Sequence, residues 1–99
     1  MPVYLVLAID VHDRETYRRY SEGALKALAG VEFELLSGDD TPTVYEGAQP
    51  ANHLGIIKFS SQEDFDRFYA SEAYREALPF RLASSEVRFM MTMKSMPPK

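Results

Sequence analysis

The feature that most constrains this chain is a strand-like run near its start, from Val3 to Val11. A run of this length, rich in β-branched and large apolar side chains, is typical of a β-strand. Alternation divides it into two apolar sets: Val3, Leu5, Leu7 and Ile9 on one side, and Tyr4, Val6 and Ala8 on the other. A strand that is apolar on both sides lies in a sheet that is covered on both faces.

The remaining elements follow in an order that indicates the fold. The periodicity predicts a helix, two strands, a second helical region and a last strand at residues 14–29, 31–36, 53–59, 61–81 and 85–92. The order βαββαβ is that of the ferredoxin-like α+β fold, a four-stranded antiparallel sheet with two helices on one face. Right-handed crossovers place the first strand beside the third and the fourth.

Local signals set the element boundaries. Asp13, Ser61 and Ser71 carry side-chain oxygens suited to helix N-caps. Residues 37–42 are rich in turn-forming types. Pro79 is expected to kink the second helical region or to restart it. We predict one domain over residues 1–93, followed by a loose C-terminal tail at residues 94–99.

The fold leaves one face of the sheet without helices, although the first and third strands are apolar on both sides. A soluble monomer rarely exposes an apolar patch of that size. The simplest cover is a second copy packed sheet to sheet about a two-fold axis. We therefore predict a homodimer. The alternative is that the face is only partly apolar and lies under the C-terminal tail.

Composition excludes several classes of function. The formal net charge is −4 and the pI is about 5.1. Nucleic-acid binders normally have a basic face, so no nucleic-acid partner is expected. The chain has no cysteine, so neither disulfides nor thiolate chemistry is expected. The longest apolar run is too short to span a membrane. A cytoplasmic protein with no membrane partner is expected.

Several motifs together resemble a known family. They are the opening segment from Pro2 to Val11, the pattern Asp13-x-x-x-Tyr17-x-x-Tyr20, Glu46-Gly47, the stretch from His53 to Ser61, and the stretch from Phe68 to Tyr74. In this order and spacing they resemble the dimeric α/β-barrel superfamily and, within it, domain of unknown function 1330. The chain departs from that pattern at Glu32-x-Glu34 and in its Met-rich tail.

This resemblance implies the ferredoxin-like fold and a dimer formed sheet to sheet, in agreement with the argument from the residues. It implies no established activity. Relatives across the superfamily include cofactor-free monooxygenases, lactone isomerases, haem-binding enzymes and ligand-binding proteins.

Asp10 and His53 are the candidate catalytic pair. Asp10 closes the first strand and His53 opens the third. If Tyr4 lies opposite Phe59, Asp10 lies opposite His53, within the distance of a cross-strand pair. A carboxylate beside an imidazole supports proton transfer near neutral pH. The alternative is that both residues only finish their strands, and a register slip of one residue separates them.

Candidate substrate-binding residues lie between helices and sheet. They are one glycine and four aromatic residues: Tyr17, Tyr20, Gly55, Phe68 and Tyr69. Gly55 is small enough to leave a hollow, and buried tyrosine hydroxyls need partners. The alternative is that these aromatic residues form ordinary core.

These observations favour a homodimer that binds a small organic molecule in a cleft between helices and sheet. Two alternatives stay open, a cofactor-independent monooxygenase or isomerase and a purely structural dimer module. No cofactor is expected. No metal site is expected either, because the two histidines, His12 and His53, lie at the ends of different elements.

Overall fold

The computed structural model describes residues 1–47 and 51–97. Its elements are β1 (Val3–Val11), α1 (Arg14–Ala27), β2 (Phe33–Asp39), β3 (His53–Phe59), α2 (Gln62–Ala70), α3 (Glu72–Ser84) and β4 (Ser85–Lys94). The strands form one antiparallel sheet in the order β2-β3-β1-β4. This confirms the predicted α+β, ferredoxin-like fold, with the second helical region divided into α2 and α3.

The helices begin where the caps predict. Three cap side chains accept a hydrogen bond from the amide three residues later: Asp13 from Thr16, Ser61 from Asp64 and Ser71 from Tyr74, each at 3.1 Å. Such caps satisfy amides that the first helical turn leaves without partners. Pro79 lies inside α3, so the predicted break falls at Ser71 and α3 continues through the proline.

Two strands extend further than predicted. β2 has an irregular register between Leu35 and Ser37, and beyond it the strand pairs with β3 as far as Asp39. The first residues of the predicted turn at 37–42 therefore belong to β2. β4 reaches Lys94, which lies opposite Val3, and the amide of Ser95 donates to the carbonyl of Pro2 at 3.4 Å. The predicted tail therefore begins later than residue 94, and residues 98–99 lie outside the described part.

The register between β1 and β3 differs by one residue from the predicted one. Val3, not Tyr4, lies opposite Phe59, and Ile9, not Asp10, lies opposite His53. Since side chains alternate between faces, this shift moves His53 to the face opposite that of Asp10. The prediction that these two residues form a cross-strand pair is wrong.

The core lies between the helices and one face of the sheet, here called the covered face. Its largest fully buried side chains include Phe59, Ile9 and Tyr74. α1 packs closely on α3, because a Cβ built at Gly23 would lie 2.7 Å from the Cβ of Ala77. Glycine is unfavourable inside a helix, and this close approach explains why Gly23 is there.

The opposite, bare face of the sheet is apolar and exposed. Its residues form three cross-strand rows: Lys58–Tyr4–Met93, Ile56–Val6–Met91 and Leu54–Ala8–Phe89. Five of its apolar side chains are between 37% and 60% exposed: Ile56, Phe89, Leu54, Met91 and Met93. In the part of the chain that the structure describes, neither a helix nor the C-terminal segment covers this face.

Candidate functional site

A cavity of about 250 Å³ lies between α1 and the covered face. The floor comes from β1, β2 and β3, and α1 forms the roof. Apolar side chains dominate the lining, and the few polar groups include one imidazole. The lining residues are Leu5, Leu7, Tyr17, Tyr20, Ser21, Ala24, Leu25, Leu28, Leu35, Ser37, Gly38, His53, Gly55, Ile57, Phe68 and Met90. An apolar cavity with few polar groups is the usual form of a small-molecule site.

Glycine at position 55 leaves space in this cavity. A Cβ built there would lie 3.3 Å from the Cδ1 of Leu7. A larger side chain would therefore press on Leu7 and occupy part of the cavity.

Two tyrosines of α1 enclose one end of the cavity. The hydroxyl of Tyr20 lies 2.9 Å from that of Tyr74, so the two share a buried hydrogen bond. Burial raises the pKa of Tyr17 to about 12, although the positive charge of Arg81 opposes part of the rise. Burial also raises the pKa of Tyr20. Both hydroxyls are therefore protonated at neutral pH and are able to donate hydrogen bonds.

His53 enters the cavity lining from the first position of β3 and is held by a carboxylate. Its Nδ1 lies 2.6 Å from Oδ1 of Asp40, and the Nη1 of Arg14 lies 3.1 Å from the same oxygen. The ring of Tyr17 meets the imidazole edge on, with 5.5 Å between ring centres. We call the pair His53 and Asp40 the dyad.

The dyad fixes which nitrogen of His53 carries the proton. The pKa of Asp40 lies below its ordinary value of 3.8, mainly because His53 hydrogen-bonds its charged form. At neutral pH Asp40 is therefore a carboxylate, which only accepts hydrogen bonds. A neutral His53 then carries its proton on Nδ1. Nε2 has a free lone pair, which makes it the nitrogen able to take a proton from a ligand.

Five of the predicted site residues lie at this one cavity, namely His53, Tyr17, Tyr20, Gly55 and Phe68. Tyr69 is not among the lining residues. Its ring stacks on Phe65 at 5.7 Å and lies 5.1 Å from that of Tyr74, in the core behind the cavity.

Asp10 lies on the bare face, away from the cavity. Its Oδ2 is 3.2 Å from the Nη2 of Arg88, and Arg88 also approaches Glu86 at 3.7 Å. Its partner in the structure is thus a cation at the end of the sheet and not His53.

Asp40 and Arg14 are the site residues that the sequence analysis missed. Asp40 belongs to an acidic run at the end of β2, and such a run is typical of a solvent-exposed sheet edge. The informative signal is topological. Because β2 and β3 are antiparallel neighbours, a carboxylate just after β2 lies beside the first residue of β3, and Asp40 follows Asp39, whose partner in β3 is Leu54.

The described residues contain no group of three or more potential metal ligands. Within the same ranges, no helix is long and apolar enough to cross a membrane.

The chain belongs to the family described as Domain of unknown function (DUF1330), whose sequence profile matches residues 2–95. This confirms the resemblance drawn from the motifs. No curated protein sequence matches the chain.

Several solved structures share the fold. A protein of unknown function from Rhodopseudomonas palustris, RPA0582, has a TM-score of 0.82 at 15% identity, over 98% of this chain and 84% of that one. SnoaB from Streptomyces nogalater, a cofactor-independent oxygenase, has a TM-score of 0.68 at 11% identity, over 98% and 95%. A dimeric ferredoxin-like protein of unknown function from Jannaschia sp. CCS1 has a TM-score of 0.68 at 13% identity, over 96% and 100%.

Proposed function

We propose that this member of the DUF1330 family is a homodimer that binds a small organic molecule in the cavity between α1 and the covered face. The observation that carries the proposal is the pairing of an apolar cavity of about 250 Å³ with a single imidazole held by a carboxylate. The His53 side chain is 23% exposed and that of Asp40 is 62% exposed, so the dyad connects a largely apolar cavity with solvent.

The dyad gives the cavity a chemical capability. With Asp40 on Nδ1, the His53 ring is held in one orientation and Nε2 is left as the nitrogen that acts as a general base. It would remove a proton from a ligand O–H, or from a C–H next to a carbonyl. Return of the proton at another carbon is an isomerisation.

A cofactor-independent oxygenase is the second candidate function, and the same dyad favours it. Proton removal from a methylene beside a carbonyl gives an electron-rich enolate, which is able to react with dioxygen. The methylene becomes a carbonyl, with one O₂ consumed and one water released. SnoaB has a comparable fold and its described activity is of this class. At 11% identity, this likeness supports the fold of such an enzyme and not its residues.

The bare face supports the homodimer. Two of its rows, Ile56–Val6–Met91 and Leu54–Ala8–Phe89, are apolar across β3, β1 and β4, and patches of this kind mark interaction surfaces. A two-fold axis would place the rows of one copy against those of the other. The Jannaschia protein of similar fold is described as dimeric.

A ligand screen with two histidine variants tests the proposed function. Compounds of one or two aromatic rings are screened by the shift they cause in the melting temperature. Hits are then measured by calorimetry with wild type, His53→Ala and His12→Ala. His12 is exposed and outside the cavity, so it is the matched control.

We expect compounds that bind wild type and His12→Ala but bind His53→Ala more weakly. Compounds that can lose a proton should be turned over, or exchange hydrogen with solvent, only when His53 is present. A screen without hits, or hits that bind all three proteins equally, would contradict the proposal. A structural dimer module would then be the better description.

A further inference from the structure

A buried positive charge lies beside the cavity and takes no part in the dyad. Arg81, in α3, is only 6% exposed. Its guanidinium carbon lies 5.7 Å from the centre of the Tyr20 ring, and Tyr20 lines the cavity. Its Nε has no hydrogen-bond partner among the residues that the structure describes. Within those residues, no carboxylate reaches it at ion-pair distance.

An arginine in this position needs a compensating negative charge. Arginine is almost never buried unless it is paired, because desolvation of an unpaired charge is strongly unfavourable. The aromatic face of Tyr20 supplies part of the compensation through a cation–π contact. A tyrosine is neutral at physiological pH, so the positive charge persists behind Tyr20, which lines the cavity.

Helical spacing places Arg81 on the buried face of α3. Buried residues of α3 recur at Tyr74, Ala77, Arg81 and Ser84, with the separations of one helix face. Ser84 and Ser85 direct their hydroxyls to the backbone carbonyl of Arg81, not to its side chain. The guanidinium is therefore kept inside the protein beside neutral tyrosines, with a hydrogen bond to Tyr74 but with no carboxylate at ion-pair distance among the described residues.

We propose that the ligand of this cavity is a small organic anion, a carboxylate or the anion of an acidic enol or phenol, and that Arg81 supplies the opposing charge from behind Tyr20. This inference rests on the proposed function and names the ligand class. The ring of Tyr17 lies 5.5 Å from that of His53, and its hydroxyl, protonated at neutral pH, is able to donate a hydrogen bond to the anion. For an enol or phenol, the proton passes to Nε2 of His53 and the electron pair stays on the ligand oxygen.

Two isosteric probes separate charge from shape. The probes are 2-naphthoate, an anion, and 2-naphthamide, which is neutral and of nearly the same size. Their affinities for wild type, Arg81→Met and Arg75→Met are measured by calorimetry at neutral pH. Arg75 is the matched control, because it lies in the same helix, is exposed and stacks on Tyr69 at 5.0 Å.

We expect wild type and Arg75→Met to bind the naphthoate at least about tenfold more tightly than the amide, the scale of one charge near a partly screened partner. Arg81→Met should bind both about equally, and Arg81→Lys should restore a preference for the acid. Equal binding of the two probes by wild type would overturn the anion inference and leave the proposed function standing. Failure of both probes to bind would count against both.

A measurement on wild type alone covers the case in which Arg81→Met does not fold. 4-Nitrophenol absorbs at different wavelengths as the phenol and as the phenolate. At a pH where the free compound is mostly neutral, we expect the bound compound to show the phenolate spectrum. A bound phenol spectrum, with saturation of the site demonstrated by calorimetry, would overturn the inference.

Discussion

The two faces of the sheet are built by alternate residues of the same strands, yet they differ in what they carry. The covered face holds the buried core, the cavity and the dyad. The bare face holds exposed leucine, isoleucine, phenylalanine and methionine side chains, and Asp10 and Glu86 meet Arg88 at the end of the sheet. Among the described residues, helices cover one face and leave the other bare. The comparison teaches that, in this fold, apolarity alone does not separate a buried core from an exposed surface.

The largest difference between the faces should appear in stability. Phe68 is 5% exposed and packs on Phe59 and Tyr74. Phe68→Ala should lower the free energy of unfolding by about 3–5 kcal/mol, because it leaves a cavity in the core. The matched variant is Phe89→Ala on the bare face, where the side chain is 38% exposed.

Urea denaturation at two protein concentrations distinguishes the two phenylalanine variants. The loss in Phe68→Ala should not depend on concentration. The loss in Phe89→Ala should be smaller, and it should appear only where the dimer is populated. If Phe68→Ala and Phe89→Ala lose the same free energy of unfolding at both concentrations, the two faces do not differ in their contribution to stability.

A charge placed on the bare face should break the dimer. Ile56 lies in the middle row of that face and is 37% exposed. Ile56→Glu would bury an unpaired carboxylate from each copy, so the dissociation constant should rise at least about 100-fold. Leu82→Glu, at a side chain of α3 that is 66% exposed, should leave association unchanged. Sedimentation equilibrium measures both, and a monomeric wild type would contradict the premise.

Alkaline pH should weaken the covered face through Tyr17. Its pKa is raised from 10.0 to about 12 in the folded protein, so the unfolded chain loses this proton first. The contribution of Tyr17 to stability is therefore complete below pH 10 and is lost as the pH rises towards 12. We expect a loss of about 1–2 kcal/mol over that range.

Comparison of Tyr17→Phe with Tyr45→Phe identifies the tyrosine responsible. The free energy of unfolding, measured by denaturation at several alkaline pH values, should fall less steeply with pH for Tyr17→Phe than for wild type. Tyr45 is 93% exposed, and its variant should follow wild type. If Tyr45→Phe flattens the profile as much, burial of Tyr17 is not the cause.

The smallest expected effect is that of Asp40 on stability in acid. Because its pKa lies below 3.8 in the folded protein, its contribution is present above that pH and is lost as the pH falls through the lower folded value. The side chain is 62% exposed, so solvent limits the effect to less than about 0.5 kcal/mol. Asp40→Asn should remove this pH dependence in urea denaturation, and Asp39→Asn should not. A larger effect from Asp39→Asn would assign the acid sensitivity elsewhere.

The element order could be predicted from the sequence because its signals are local. Alternation in β1, the caps Asp13 and Ser61 and the glycine at position 30 each specify structure within a few residues. Gly30 adopts a φ of 82° after α1, a conformation that favours glycine. The order of these elements then limits the topology to very few folds.

The register could not be predicted in the same way, and the candidate pair depended on it. A buried face normally fixes register, because a slip of one residue turns apolar side chains outward. β1 is apolar on both sides, so a slip exchanges one apolar set for the other. The pattern therefore did not distinguish Ile9 from Asp10 as the residue opposite His53. The position of Asp40 beside His53 could not be predicted either, because the register of β2 is irregular between Leu35 and Ser37.

Position along the chain has a consequence for how β1 becomes ordered. β1 lies in the middle of the sheet, and its two neighbours, β3 and β4, begin at His53 and Ser85. All of its cross-strand partners are thus distant in sequence, and non-local pairing slows folding. Until those partners arrive, an apolar strand has both hydrogen-bonding edges free, which is a template for aggregation. The central strand of the sheet therefore stays unpaired until both later strands have formed. Conditions that speed this pairing should raise the yield of folded protein.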